Sequence, residues 1–142
     1  MANHVATATV EIEASPARVW TALTDPTEIE KYMFGSHVVT DWKPGSSIVW
    51  EGEYEGERYE DKGEIVEIDP ERRLKMTHFS PLSGQEDAPE NYHTLVYELE
   101  PSGAKTRISL SQDGNESEEA AEHSQANWEK MLSGLKQVVE DR

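Results

Sequence analysis

Residues 10–34, VEIEASPARVWTALTDPTEIEKYMF, decide how the chain is built. They close a run that starts at residue 4, where HVATATVEIE alternates small or apolar residues with polar ones, the period of a half-buried strand. That period breaks at Ser15-Pro16. Ser15 offers a side-chain oxygen for an N-cap, and Pro16 suits a first helical position whose N–H would be unpaired anyway. Val19, Trp20 and Leu23 then make an apolar stripe. At Asp25-Pro26 the start signal repeats: a cap, a proline, and Glu28 three residues after the cap, as in a capping box. Ile29, Tyr32 and Met33 form the second stripe. The first strand is thus followed by two short helices before any partner strand has appeared.

Beyond Gly35 the period returns to two. Residues 37–42 read as a short strand, and 43–46 (KPGS) as a turn. In 47–54 (SIVWEGEY), Ile48, Trp50 and Tyr54 share one face and Glu51 and Glu53 the other. Residues 57–68 form a long strand with Gly63 at a bulge or bend. After the turn at 69–72, Leu74, Met76 and His78 share a face. Residues 80–90 (SPLSGQEDAPE), with two prolines and a glycine, are expected to be a mobile loop. Residues 92–100 place Leu95, Tyr97 and Leu99 on one face, and 105–112 point Ile108 and Leu110 inward. Strands joined by short turns imply an antiparallel meander. Residues 116–140 are the one long helix, with Asn115 as its cap and Glu116, Glu118 and Glu119 at the dipole's positive end. Trp128, Met131, Leu132, Leu135, Val138 and Val139 follow helical spacing, and Ala120, Ala121 and Ser124 keep the first half of that face small.

Composition narrows the function. A length of 142 residues suits a single domain spanning 1–142, with no internal repeat. The absence of cysteine removes disulfides and thiolate metal sites. No apolar run reaches membrane-spanning length, and MANHVATATV does not resemble a leader, so a cytoplasmic protein is expected. Acidic residues number 29 against 13 basic, a net charge of −16 that argues against nucleic acid and anionic membranes as partners. The plain reading of that charge is solubility or adaptation to salt, and the alternative is a surface for a basic protein.

The element order is strand, two short helices, six strands, long helix. It predicts an α+β architecture: a curved seven-stranded antiparallel sheet gripping the C-terminal helix. A sheet curled around one helix leaves a concave apolar space, the usual setting for a small ligand. The segments ASPARVWTALTDPTEIEKYMFG, WKPGSSIVW, GEIVEIDPERRLKMTH, TLVYELEPSGAKTRISL and NWEKMLSGLKQVVE, in that order over nearly the whole chain, resemble the START-like (Bet v 1-like, SRPBCC) superfamily, and within it the family related to the activator of Hsp90 ATPase. The resemblance implies the helix-grip fold and a cavity for lipid-like or aromatic ligands. Some relatives are cyclases or aromatases, and the eukaryotic namesake is a co-chaperone. Where the family often carries Trp, this chain has Tyr32, which adds a hydroxyl needing a partner if buried.

No phosphate-cradling glycine loop, nucleophile elbow or H-E-x-x-H helix is present, so no catalytic residue, metal site or cofactor is assigned. If the strands flanking the 80–90 loop pair with 78 opposite 93, then 76 meets 95 and 74 meets 97. His78 and His93 then stand near the loop end on the cavity side, able to orient a ligand or move a proton; the plainer reading is two ordinary histidines at a sheet edge. Trp50, Tyr54, Tyr97, Trp128 and Met131 are the candidate cavity walls, with core packing the plainer reading for each alone. Met76 faces the same way, and Tyr32, Met33 and Phe34 are candidates for the lip, with packing the plainer reading. Glu51, Glu53, Glu64 and Glu67, like the helix's leading glutamates, read as solvated faces. The leading expectation is a binding protein for a small hydrophobic or aromatic molecule, more a carrier than an enzyme. Its rivals are a module that binds a chaperone of the Hsp90 type, and a cyclase-like or hydrolytic enzyme using His78, His93 or Tyr97. The oligomeric state is not readable from these residues.

Overall fold

The computed structural model describes residues 4–33, 36–54, 56–80, 86–88, 91–115 and 117–140, without the Tyr54 side chain. The order is β1 (His4–Ile12), α1 (Pro16–Thr24), α2 (Pro26–Tyr32), β2 (His37–Thr40), β3 (Ser47–Tyr54), β4 (Glu57–Asp69), β5 (Arg73–His78), β6 (His93–Ser102), β7 (Lys105–Asn115) and α3 (Glu118–Glu140). The seven strands form one sheet in the order β1-β7-β6-β5-β4-β3-β2, antiparallel at every step. It curls around α3, which is the helix-grip fold.

That order explains the two helices. β1 and β2 are sequential in the chain yet lie on opposite edges of the sheet. The α1–α2 pair carries the chain from one edge to the other and packs against α3 on the way. Both predicted caps form: Ser15 Oγ accepts from Arg18 N at 3.3 Å, and Asp25 Oδ1 accepts from Thr27 N at 2.9 Å. Glu28 does not close a capping box. Its two carboxylate oxygens take Arg18 Nη2 and Nη1 at 2.7 and 2.9 Å, a bidentate pair that fixes α1 against α2. The apolar stripes enter the core: Val19, Ala22, Leu23, Ile29 and Tyr32 are buried with Ile12, Ile65, Leu74, Ile108, Leu110, Leu132, Leu135 and Val139.

Three boundaries differ from expectation. β7 runs to Asn115, because its end pairs with His4 of β1 and the Asn115 amide donates to the His4 and Gln112 carbonyls at 2.8 and 3.1 Å. Asn115 is therefore not the cap of α3. Ser117 is: its Oγ accepts from Ala120 N at 3.0 Å and its carbonyl from Ala121 N at 3.0 Å. β2 stops at Thr40, and Trp42 takes a left-handed backbone with φ 57°, which ends the strand. Gly63 is where β4 crowds β5: a Cβ there would lie 1.8 Å from the Thr77 carbonyl oxygen, so only glycine fits. The predicted β5–β6 register is the observed one, with His78 opposite His93, Met76 opposite Leu95 and Leu74 opposite Tyr97. Within the predicted loop, residues 81–85 and 89–90 lie outside the described residues.

Candidate functional site

The strand pleat and the first half of α3 enclose a cavity of about 310 Å³. Period-two alternation sends Trp50 from β3, Tyr59 and Asp61 from β4, His78 from β5, Leu95 and Tyr97 from β6, and Gln112 from β7 to one face of the sheet. α3 closes the other side with Ser124, Asn127, Trp128 and Met131, and Met33 and Ser36 stand at the end of α2. The apolar wall is thus Trp50, Tyr97, Trp128, Leu95 and the two methionines. The cavity's polar groups are Tyr59, Asp61 and His78 on β4 and β5, Gln112 on β7, Ser124 and Asn127 on α3, and Ser36.

Nearly every polar side chain in this wall has a partner inside the protein. Trp128 Nε1 donates to Gln112 Oε1 at 2.6 Å. Ser124 Oγ donates to Asn115 Oδ1 at 2.8 Å. Ser36 Oγ and Tyr59 OH are 2.6 Å apart. The Tyr59 ring lies across Gly52, where a Cβ would come within 2.4 Å of its hydroxyl. Nε2 of His78 is 2.9 Å from Oδ2 of Asp61, in a setting where their side chains are only 22% and 16% exposed. Oδ1 of Asp61 is sealed from solvent and has no hydrogen-bond partner among the described residues. Burial pushes the Tyr97 phenol well above its ordinary value, so Tyr97 stays a neutral hydroxyl in the wall.

Of the residues expected from the sequence, Trp50, His78, Tyr97, Trp128 and Met131 line the cavity. Tyr32 does not stand at a lip: it is core, and its hydroxyl donates to the Ala22 carbonyl at 2.8 Å, which supplies the partner its burial requires. Met76 is core as well, beneath the cavity rather than in it. His93 stands opposite His78 across the β5–β6 pair, as expected, but does not line the cavity. Its Nδ1 donates to the Asp113 carbonyl at 2.9 Å, and Gly114 arches so closely over the ring that a Cβ would sit 2.8 Å from Nδ1. The two imidazoles stack with centroids 6.5 Å apart and planes at 26°. Phe34, and the side chain of Tyr54, lie outside the described residues. Tyr59, Asp61 and Gln112 escaped the sequence reading. The signal for the first two was the parity of β4: counting back from buried Ile65 in twos gives 63, 61 and 59.

No group of three or more His, Asp or Glu side chains able to hold a metal occurs among the described residues. Likewise no helix there is long and apolar enough to cross a membrane.

A curved antiparallel sheet, a long gripped helix and a cavity between them define a START-like helix-grip protein. The family model described as "Activator of Hsp90 ATPase homolog 1-like protein" matches residues 13–140, and the chain belongs to that family. Among solved structures, ChR145 from Cytophaga hutchinsonii is 45% identical, with 97% of this chain and 94% of that one covered and a TM-score of 0.85. The Aha1 dimer from Colwellia psychrerythraea shares the fold at 19% identity and TM-score 0.75, covering 99% and 98% of the two chains. CalU16 from Micromonospora echinospora does so at 20% identity and TM-score 0.72, covering 99% and 88%. No curated protein matches the chain.

Proposed function

We propose that the chain binds a small, mainly apolar molecule of aromatic character in the cavity between α3 and the sheet. One observation carries this reading: a space of about 310 Å³, partly open to solvent and walled by Trp50, Tyr97, Trp128, Leu95 and Met131, separates the first half of α3 from the sheet. A concave, mostly apolar pocket with a few polar groups in its wall is the usual setting for a small ligand. Aromatic walls suit a flat ring, which gains from edge and face contacts beyond area alone. Cytoplasmic carriage of such a molecule fits the acidic surface, which keeps the protein dispersed.

Titration with naphthalene-type compounds, followed by the fluorescence of the cavity tryptophans, tests the reading. Saturable binding is expected in the native chain. Leu95→Phe and Ser124→Phe, which fill the space from opposite walls, are each expected to abolish it while the fold is retained. Equal binding by all three would place the compound elsewhere and remove this proposal. The co-chaperone reading rests on the family's description of other chains, and the cyclase or hydrolase reading on His78 alone, so both stand behind ligand binding.

A further inference from the structure

Asp61 and His78 fix the hydrogen-bonding character of one part of the cavity wall. Asp61 Oδ2 can only accept, so the 2.9 Å contact requires Nε2 of His78 to carry the proton. In a neutral imidazole the other nitrogen is then an acceptor, and Nδ1 of His78 has no hydrogen-bond partner among the described residues. The ring is held in place on two further sides. Trp50 meets it edge-on at 5.0 Å and 68°, and His93 stacks behind it. His93 is itself tied to the Asp113 carbonyl, so turning the His78 ring disturbs β6 and β7 as well.

The neighbouring polar groups carry both donors and acceptors, and none of them is bonded to Nδ1 of His78 among the described residues. One of the Ser36 and Tyr59 hydroxyls donates to the other, which leaves the acceptor's own proton free, and Gln112 Oε1 is taken by Trp128 while the amide N–H groups of Gln112 and Asn127 are donors farther along the wall. The Tyr97 hydroxyl rotates and serves either role. The second oxygen of Asp61 adds a further unmatched acceptor, sealed behind the wall. Beside the His78 ring itself the fixed groups are acceptors, Nδ1 and the Asp61 carboxylate, in a chain of net charge −16.

Resting on the cavity reading above, we propose that Asp61 and His78 select the ligand: a neutral aromatic molecule whose hydroxyl or N–H donates to Nδ1 of His78. A phenol or an arylamine satisfies that demand. A carboxylate meets a lone pair and a like charge, and is rejected. Asp61 acts as a positioning residue through the tautomer it imposes, and His78 makes the contact.

Naphthol, methoxynaphthalene and naphthoate share one ring system and differ only in the polar group. Titrations read the indole N–H signals of Trp50 and Trp128. The native chain is expected to bind naphthol about 5–10-fold more tightly than methoxynaphthalene, with naphthoate weakest. In Asp61→Asn the amide can either accept from or donate to Nε2, so the imidazole tautomer is no longer imposed. The naphthol preference should then shrink and naphthoate gain about tenfold relative to naphthol, since the fixed tautomer and the like charge are both gone. In His78→Phe, naphthol and methoxynaphthalene should bind equally while both still bind. Equal affinities in the native chain, or an unchanged ratio in both variants, overturns the selection proposal and leaves the cavity reading intact. If no compound shifts either indole in the native chain, both fall together.

Discussion

Trp128 donates its indole N–H to Oε1 of Gln112 at 2.6 Å, and this bond joins the first half of α3 to the last strand of the sheet. The Ser124–Asn115 bond is the other tie. No residue of α3 before Met131 is buried, whereas Met131, Leu132, Leu135 and Val139 all are. The helix is therefore packed by its second half and tethered by its first. Amides of residues 120–129 should exchange with deuterium through local opening well before those of 132–139. Gln112→Ala should cost about 1 kcal/mol and accelerate exchange only in the first half. Uniform protection along α3 would contradict the tether.

Tyr32 is predicted to matter for stability and not for ligands. Tyr32→Phe removes the buried bond to the Ala22 carbonyl and should cost about 1 kcal/mol in denaturant unfolding. Affinity for naphthalene-type compounds should not change, because the ring does not line the cavity. A change in affinity with unchanged stability would restore Tyr32 to the lip.

Gly52 and Gly63 separate packing from site shape. At Gly63 a methyl group would strike the Thr77 backbone, which cannot step aside, and Gly63→Ala should destabilise by about 3 kcal/mol. At Gly52 it would strike only the end of the Tyr59 ring. Gly52→Ala should cost less stability but displace Tyr59 from Ser36, and with it the polar wall of the cavity. Thermal melts together with probe titrations of both variants check the contrast.

Alkaline pH reports on the buried phenols. Desolvation raises Tyr97, and desolvation first and then the charges of Tyr97 and Glu28 raise Tyr32, both well above the ordinary phenol value. An unfolded tyrosine ionises near pH 10. With the folded value raised, their contribution is complete below about pH 10 and is lost as pH climbs above it, since only the unfolded chain gives up these protons. Each phenol should steepen the loss of stability by about 1.4 kcal/mol per pH unit in that window. Phenolate absorbance should show these two tyrosines titrating only as the chain unfolds, and Tyr97→Phe should flatten the slope.

Local signals made the fold readable. Ser15-Pro16 and Asp25-Pro26 mark helix starts by chemistry that needs no partner, and the alternation in β3, β5 and β6 names the buried face directly. The His78–His93 register followed from matching apolar residues across a loop. The site was less legible, because a wall residue and a core residue look alike in sequence. Met76 and Tyr97 share a face, yet only Tyr97 reaches the cavity, a distinction set by where α3 stops filling the sheet. Asp61 was hidden among the acidic residues of β4, most of which are solvated. Asn115 was misassigned for a related reason: its amide found partners in β1 and β7, a tertiary choice that left the helix cap to Ser117.

The chain carries its own control for ligand binding, since two of its 4 tryptophans, Trp50 and Trp128, line the cavity while Trp20 and Trp42 pack elsewhere against the core. A nitrogen–proton correlation spectrum recorded during a naphthol titration resolves all the indole signals at once. The predicted result is a saturable shift of the Trp50 and Trp128 indoles with Trp20 and Trp42 unmoved. Shifts confined to Trp20 and Trp42, or no shift at any indole, would contradict a ligand site between α3 and the sheet.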